Sequence, residues 1–434
     1  MSDLTHGFRI GQDKCEGCFS CMRVCPTQAI RVRDGKACLL PERCIDCGSC
    51  LQVCSTGTIT ATTRSFHEFG KFKYRVAIPS PVLYGQFPVG ITPEEIVEGL
   101  HWMGFNEVWD YAVEIGLVQR ALRHYVENWK GPYPLISSSC PVIVRLVQVS
   151  YPDMVDQLVC VELPRELAAR EAKRKCCEEL AIGRDEIAAI YITPCQAKSI
   201  SILQPAEGAT SEIDGSLGIS DVYNTILDCA RIRRDVERKS RATSLTRNAG
   251  MLRWYMGDGQ GARLPRHRYI SVTGLSNVIS VFDDIEKGKL RNVEYLEAYS
   301  CWGGCAAGNL TVNNVYVTLS RLQSLMVGLP DMDPETEAEV ERRYPTEEFS
   351  LKGPVKPRPV KGNVGDLKER VRIVKEAEAI LGALPGFDCG LCGAPTCKAL
   401  ASDISVQDAR DTDCVFVSGD RLDDLRKRYP RARK

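Results

Sequence analysis

Several things are scarce in this 434-residue chain. It has no excess of either charge, since 56 Lys and Arg balance 56 Asp and Glu. A nucleic-acid or anionic-membrane binder driven by bulk charge is therefore excluded. No apolar run approaches the length of a membrane span. The opening Met1-Ser2-Asp3-Leu4-Thr5-His6 lacks a basic stretch leading into an apolar one, so no secretory signal is expected and the chain reads as cytoplasmic. No G-x-G-x-x-G fingerprint occurs, so a nicotinamide or flavin would have to come from elsewhere. The five histidines, His6, His67, His101, His124 and His267, show no ligand spacing. Gly257-Asp258-Gly259-Gln260-Gly261 is glycine-rich but follows no clear strand, and reads as a loop.

Cysteine is what the chain has in abundance, 21 in all beside an ordinary 44% hydrophobic and 26% charged content. A secreted disulfide framework is usually short, whereas this chain is long and its cysteines sit in tight spacings. Sixteen of them form ligand-like groups. Cys38, Cys160, Cys176, Cys177 and Cys229 remain as ordinary small thiols.

Eight come in two runs, Cys15-x2-Cys18-x2-Cys21-x3-Cys25-Pro26 and Cys44-x2-Cys47-x2-Cys50-x3-Cys54-Ser55. This internal repeat matches the bacterial two-cluster ferredoxin run, in which the fourth cysteine serves the other cluster. Cys15, Cys18, Cys21 and Cys54 would hold one [4Fe-4S] cubane, and Cys44, Cys47, Cys50 and Cys25 a second. Paired zinc sites would leave the third and fourth cysteines of each run unexplained. Ser55 stands where the ferredoxin pattern prefers proline, which touches the turn and not the ligands.

Four more cysteines lie in three fragments: Ser137-Ser138-Ser139-Cys140-Pro141, Thr193-Pro194-Cys195-Gln196-Ala197-Lys198, and Tyr299-Ser300-Cys301-Trp302-Gly303-Gly304-Cys305. The second and third follow apolar strands, Ala188 to Ile192 and Val293 to Glu297, where open α/β sheets place their sites. These fragments resemble the active-site signatures of [FeFe]-hydrogenases. The resemblance runs in order from about Phe72 to Gly328 and includes Val76 to Pro81, Met103-Gly104-Phe105 and Val272 to Lys289. It implies that Cys140, Cys195, Cys301 and Cys305 hold a cubane. It also implies that Cys305 bridges to a di-iron unit with CO and cyanide ligands, and that Lys198 bonds a cyanide. Gly303, Gly304 and Gly308 would let backbone approach the cofactor.

Departures from the family are specific. The family reads TSCCP in the first loop, with the first cysteine as proton donor, and that position here is Ser139. The second-loop methionine is Thr193 and the relay glutamate is Ser201; the third-loop methionine is Tyr299. The triple glycine is reduced to Gly308-Asn309-Leu310. A hydroxyl cannot be tuned to the operating pH as a thiol or carboxyl can, so slow or regulatory H2 chemistry is expected. Lys198, Ser139, Ser201 and Tyr299 are the candidate reaction-site residues. A buried Lys198 favours a complete site, while the bulk of Tyr299 favours a cubane alone.

The last group, Cys389-x2-Cys392-x4-Cys397-x16-Cys414, follows a helical stretch from Val364 to Leu384 and Pro385-Gly386-Phe387. It resembles the single [4Fe-4S] domain of Rnf-type electron-transport and corrinoid proteins, with zinc as the alternative. The acidic and then proline- and lysine-rich stretch after Pro330 reads as a semi-rigid linker, with Glu335 to Glu341 a solvated helix face. A basic tail, Arg426 to Lys434, is solvated or docks an acidic redox partner.

The expected architecture is multidomain, α/β and α+β. A ferredoxin-like dicluster domain (1–72) precedes a two-lobed hydrogenase-like α/β domain (73–328), a linker (329–362) and a small, mainly helical Fe–S domain (363–434). Three functions compete: a slow or regulatory hydrogenase-like protein, a subunit of a larger redox complex, and a pure electron carrier with four cubanes. Expected partners are a ferredoxin, flavin-containing NADH-oxidising subunits or a signalling protein, within a complex.

Overall fold

The computed structural model describes residues 4–236, 248–264, 268–361 and 366–417. His267 and the basic tail from Arg426 lie outside these residues. The chain divides into two compact units. One contains residues 1–62, 148–152 and 357–434, and the other 63–147 and 153–356. The four segments read from the sequence are thus grouped differently: the N-terminal dicluster module and the C-terminal module share a unit.

In the terminal unit the repeat is visible in the backbone. Strand Phe8–Ile10 pairs antiparallel with Ile59–Ala61, and Ile30–Arg33 with Lys36–Leu39. Each cysteine run ends in a short helix, Ser20–Val24 or Ser49–Val53. Three pairs of equivalent positions adopt left-handed φ angles, and glycine alternates between the halves: Gly17 with Asp46, Phe19 with Gly48, and Gln28 with Gly57. The turn that aims the thiols is therefore retained even where a side chain strains it. Among the described residues, the C-terminal module consists of helices Leu367–Ala383 and Cys397–Ser405, packed together. It is fastened to strand Ile30–Arg33 by a buried bidentate pair. Arg31 Nε and Nη2 lie 2.5 and 2.8 Å from the two oxygens of Asp403. Arg33 adds a bond from Nη1 to the Cys392 carbonyl, and Val32 N–H bonds the Gly393 carbonyl.

The central unit contains two parallel sheets. Strands Glu107–Val108, Tyr74–Pro79, Ile187–Thr193 and Gly215–Gly218 form the first, in that order. Every residue of Ile187–Thr193 is buried, as expected of an inner parallel strand covered on both faces. Helix Pro164–Leu180 packs on this sheet. Helix Pro93–Met103 begins as its sequence predicts, with a Thr92–Glu95 capping box and proline in the first turn. It lies against Ile219–Val236, where a Cβ on Gly99 would come within 2.8 Å of Ile226 Cα. The second sheet is Tyr269–Thr273, Tyr295–Tyr299 and Leu135–Ile136. All three cysteine loops leave the C-terminal ends of parallel strands. The strand before Cys140 has only two residues, too few for periodicity to reveal.

Part of the stretch read as a linker is packed. Asp333 caps helix Pro334–Arg343, which lies on helix Ala112–Asn128 and buries Thr336, Val340 and Arg343 along one stripe. Its charged residues masked that stripe. Among the described residues, no helix is long and apolar enough to cross a membrane.

Candidate functional site

Strand pairing explains how the central cysteines meet. Tyr295 and Leu296 lie opposite Leu135 and Ile136, so the loops carrying Cys140 and Cys301 emerge side by side. The Ser300 hydroxyl stands 3.7 Å from both the Cys140 and Cys301 sulfurs. Cys195 arrives from the other sheet as the residue preceding helix Gln196–Leu203. Burial pushes the Cys195 thiol up to about 12, with Cys305 and Cys140 adding to the rise and Lys198 opposing it. Burial likewise raises Cys301, with Cys195, Cys140 and Cys305 adding to it. Four buried thiols that oppose one another's ionisation suit a cationic iron core, which binds them as thiolates. The donor set fits a cubane.

Lys198 occupies the first turn of the helix after Cys195 and is 1% exposed. Its Nζ has no hydrogen-bond acceptor and lies 3.6 Å from the centre of the Tyr255 ring. Burial opposes its charge, but the fields of Cys305, Tyr191, Tyr255 and Cys195 outweigh burial and keep its pKa above the ordinary lysine value. It is neither on the surface nor paired with a carboxylate. An unsatisfied buried ammonium fits an anionic acceptor group beside Cys305.

Both substituted hydroxyls are held by groups that do not carry protons near neutral pH. Ser139 Oγ accepts from Gln260 Nε2 at 2.9 Å. Ser201 Oγ accepts from Arg165 Nη2 and donates to the Lys198 carbonyl, both at 2.8 Å. Tyr299 does more than fill space. Its hydroxyl accepts from Gln260 Nε2 at 2.9 Å and lies 3.1 Å from Glu297 Oε1 and 3.2 Å from the Trp254 carbonyl. Gln260 Oε1 accepts from Ser137 and Tyr295, and the Gln260 and Gly261 backbone N–H groups bond Glu297. Burial pushes Glu297 up to about 7 despite these donors.

Gln260 and Glu297 were therefore missed as site residues. The available signal was the alternating glycines: a Cβ on Gly259 would come within 2.2 Å of the Arg253 carbonyl oxygen, and one on Gly261 within 2.2 Å of the Tyr269 ring. The glycines expected to face a cofactor instead face protein. A Cβ on Gly304 would lie 2.4 Å from the Tyr255 carbonyl oxygen, on Gly308 2.2 Å from that of Pro194, and on Gly303 2.8 Å from a Val315 methyl. Gly303 and Gly304 also have left-handed φ angles.

In the terminal unit, Cys25, Cys44, Cys47 and Cys50 line a common cavity of about 310 Å³ with Phe8, Ile30 and Leu39. These are the four expected to hold the second ferredoxin cubane. Cys15 and Cys18 add to the rise that burial imposes on Cys21, and Cys54 lies in the field of Cys18. Cys389, Cys392, Cys397 and Cys414 line a further cavity of about 300 Å³ with Pro385, Leu400 and Phe416.

Known families match in three segments. The profile described as iron only hydrogenase large subunit, C-terminal domain, matches residues 73–262, a 4Fe-4S dicluster domain matches 14–66, and an Fe-S cluster domain matches 384–416. The chain is a divergent relative of the iron-only hydrogenase large subunits, carrying a dicluster ferredoxin-type domain and a further Fe–S domain. Among curated proteins, the periplasmic [Fe] hydrogenase large subunit of Nitratidesulfovibrio vulgaris is 24% identical over 70% of this chain and 86% of its own length. The NADP-reducing hydrogenase subunit HndD of Solidesulfovibrio fructosivorans is 25% identical, over 27% of this chain and 22% of its own. Iron hydrogenase 1 of Clostridium pasteurianum is 24% identical, over 32% and 24%. Two variants of the [FeFe]-hydrogenase HydA1 from Chlamydomonas reinhardtii align with TM-scores of 0.47. Their identities are 15% and 16%, covering 66% and 69% of this chain and 94% and 98% of those chains.

Proposed function

We propose that this iron–sulfur, hydrogenase-like redox protein performs slow or regulatory H2 and proton chemistry at its central site and passes electrons through ferredoxin-type clusters. Four [4Fe-4S] clusters are assigned, on Cys15, Cys18, Cys21 and Cys54; on Cys44, Cys47, Cys50 and Cys25; on Cys140, Cys195, Cys301 and Cys305; and on Cys389, Cys392, Cys397 and Cys414. Cys305 and Lys198 would hold a di-iron unit, which supplies the H2-activating chemistry when bound. The observation that carries the reading is the acceptorless Lys198 ammonium within the field of Cys305.

The slow rate follows from this chain's own residues. Ser139 faces an amide and Ser201 a guanidinium and a carbonyl, so neither has an acid–base partner able to take up or supply a proton. Positioned acids and bases contribute roughly 10²–10⁴ in rate, which is the scale of the expected deficit. The protein is assigned to the cytoplasm and to a complex with a ferredoxin, a flavin-containing NADH-oxidising subunit or a signalling protein.

The test is infrared spectroscopy after maturation. Bands of iron-bound CO and cyanide are expected, and their absence under conditions that load a control hydrogenase rejects the di-iron reading. A second reading, a non-catalytic electron-transfer subunit with cubanes alone, is favoured by the Tyr255 ring already covering Lys198 at 3.6 Å.

A further inference from the structure

Lys198 is not the only buried group near Cys305 with hydrogen to donate and nothing to receive it. Arg165 Nη1, the Tyr191 hydroxyl and the Tyr111 hydroxyl also lack a partner in hydrogen-bond geometry. All four side chains are at most 1% exposed. They gather on Tyr191: the Arg165 guanidinium carbon lies 5.6 Å and Lys198 Nζ 5.9 Å from its ring centre, and the Tyr111 and Tyr191 hydroxyls are neighbours. Arg165 and Lys198 both act on the Cys305 thiol. Arg165 Nε, 3.5 Å from Glu166 Oε1, is too distant for a hydrogen bond.

A buried donor left without an acceptor costs about 1–3 kcal/mol, so four at one place require a common explanation. A single water accepts too few bonds and must donate as well. The group that satisfies them all accepts only and carries negative charge. Arg165 and Ser201 also line a cavity of about 710 Å³ with Ser138, Glu162 and Glu166, which offers a way in.

We propose that Lys198, Arg165, Tyr191 and Tyr111 form a binding pocket beside Cys305 for a small, acceptor-only anion of the cyanide or azide type, either free or carried on iron. The iron-borne case rests on the hydrogenase-type reading above; the pocket itself does not. Arg165 supplies a second cation and a donor that Lys198 alone cannot replace.

The first measurement uses the full chain with reconstituted cubanes and no maturation. Azide is titrated and its infrared stretch followed. A saturable bound band is expected, with affinity at least about tenfold weaker in Arg165→Gln and in Lys198→Met. Arg165→Lys, which preserves the charge, should retain most of the binding and separates a lost contact from a lost fold. The proposal fails if the wild-type chain binds no azide, or if Arg165→Gln binds it equally well.

The second measurement identifies the source. In matured protein, cyanide bands that move in Arg165→Gln and Tyr191→Phe show that the anion is borne on iron. Cyanide bands that stay in place, with azide bound in the first measurement, assign a free anion. If no CO or cyanide bands form at all, the di-iron reading falls while the azide titration still decides the pocket.

Discussion

The terminal and central units gather cysteines in opposite ways. In the terminal unit the ligands of each run lie within a few residues, and left-handed turns such as Gly17 and Gly48 aim them. In the central unit no two of Cys140, Cys195 and Cys301 share a loop, and strand pairing must bring them together. A local site depends on turn geometry, and a distributed one depends on the whole unit being folded. The polar surroundings differ accordingly. The Gln260 network exists only around the distributed site, where it ties the loops of Ser139, Tyr299 and Glu297 together.

The largest test of that contrast is Asp403→Ala. It leaves Arg31 buried without its carboxylate, and breaking a buried pair typically costs about 3–5 kcal/mol. Denaturant unfolding should show that loss in the terminal unit, with the central unit's transition unmoved. Gly304→Ala reverses the contrast. Its methyl meets the Tyr255 carbonyl, and overpacking of this kind costs about 1–3 kcal/mol. Iron should then be lost from the central site while the ferredoxin-type signals in electron paramagnetic spectra persist.

Ser139→Cys in matured protein should raise H2 turnover about tenfold, the low end of acid–base effects. Adding Ser201→Glu should contribute less than its pattern suggests, because Arg165 Nη2 would hold the new carboxylate ionised. An unchanged rate in Ser139→Cys would end the relay argument.

Glu162 gives a pH test. Burial, and then the charge of Glu166, pushes its carboxyl up to about 7. The folded state therefore retains a proton that the unfolded state has already lost. This favours folding below about pH 4.5, and the benefit disappears as pH rises through about 7. Glu162→Gln should flatten that decline, by up to about 1.4 kcal/mol per pH unit, in melting temperatures taken across the range. The smallest effect belongs to Gln28→Gly, which relieves a left-handed side chain but frees the unfolded backbone. A net gain below about 1 kcal/mol is expected, while Gly57→Gln should lose stability.

These contrasts also show what could be read from the chain alone. The ferredoxin runs were legible because their ligands are local, and the loops of Cys195 and Cys301 because full-length strands precede them. Leu135–Ile136 was too short to show a period. Gln260 was hidden in a polar, glycine-rich stretch that resembles any loop until Glu297 and Tyr299 close on it. The shared terminal unit depends on pairing Arg31 with Asp403, two ordinary charged residues whose spacing predicts nothing. Val340 was masked because only one stripe of its charged helix is buried.

Cys195 is the only one of the four central thiols to come from the four-stranded sheet; its three companions hang from the other. An iron core seated there would work as a clasp, with a single rivet on one side of the seam and three on the other. Sliding of one sheet past the other would load that lone rivet first. Metal insertion would then lock the two lobes into a fixed alignment.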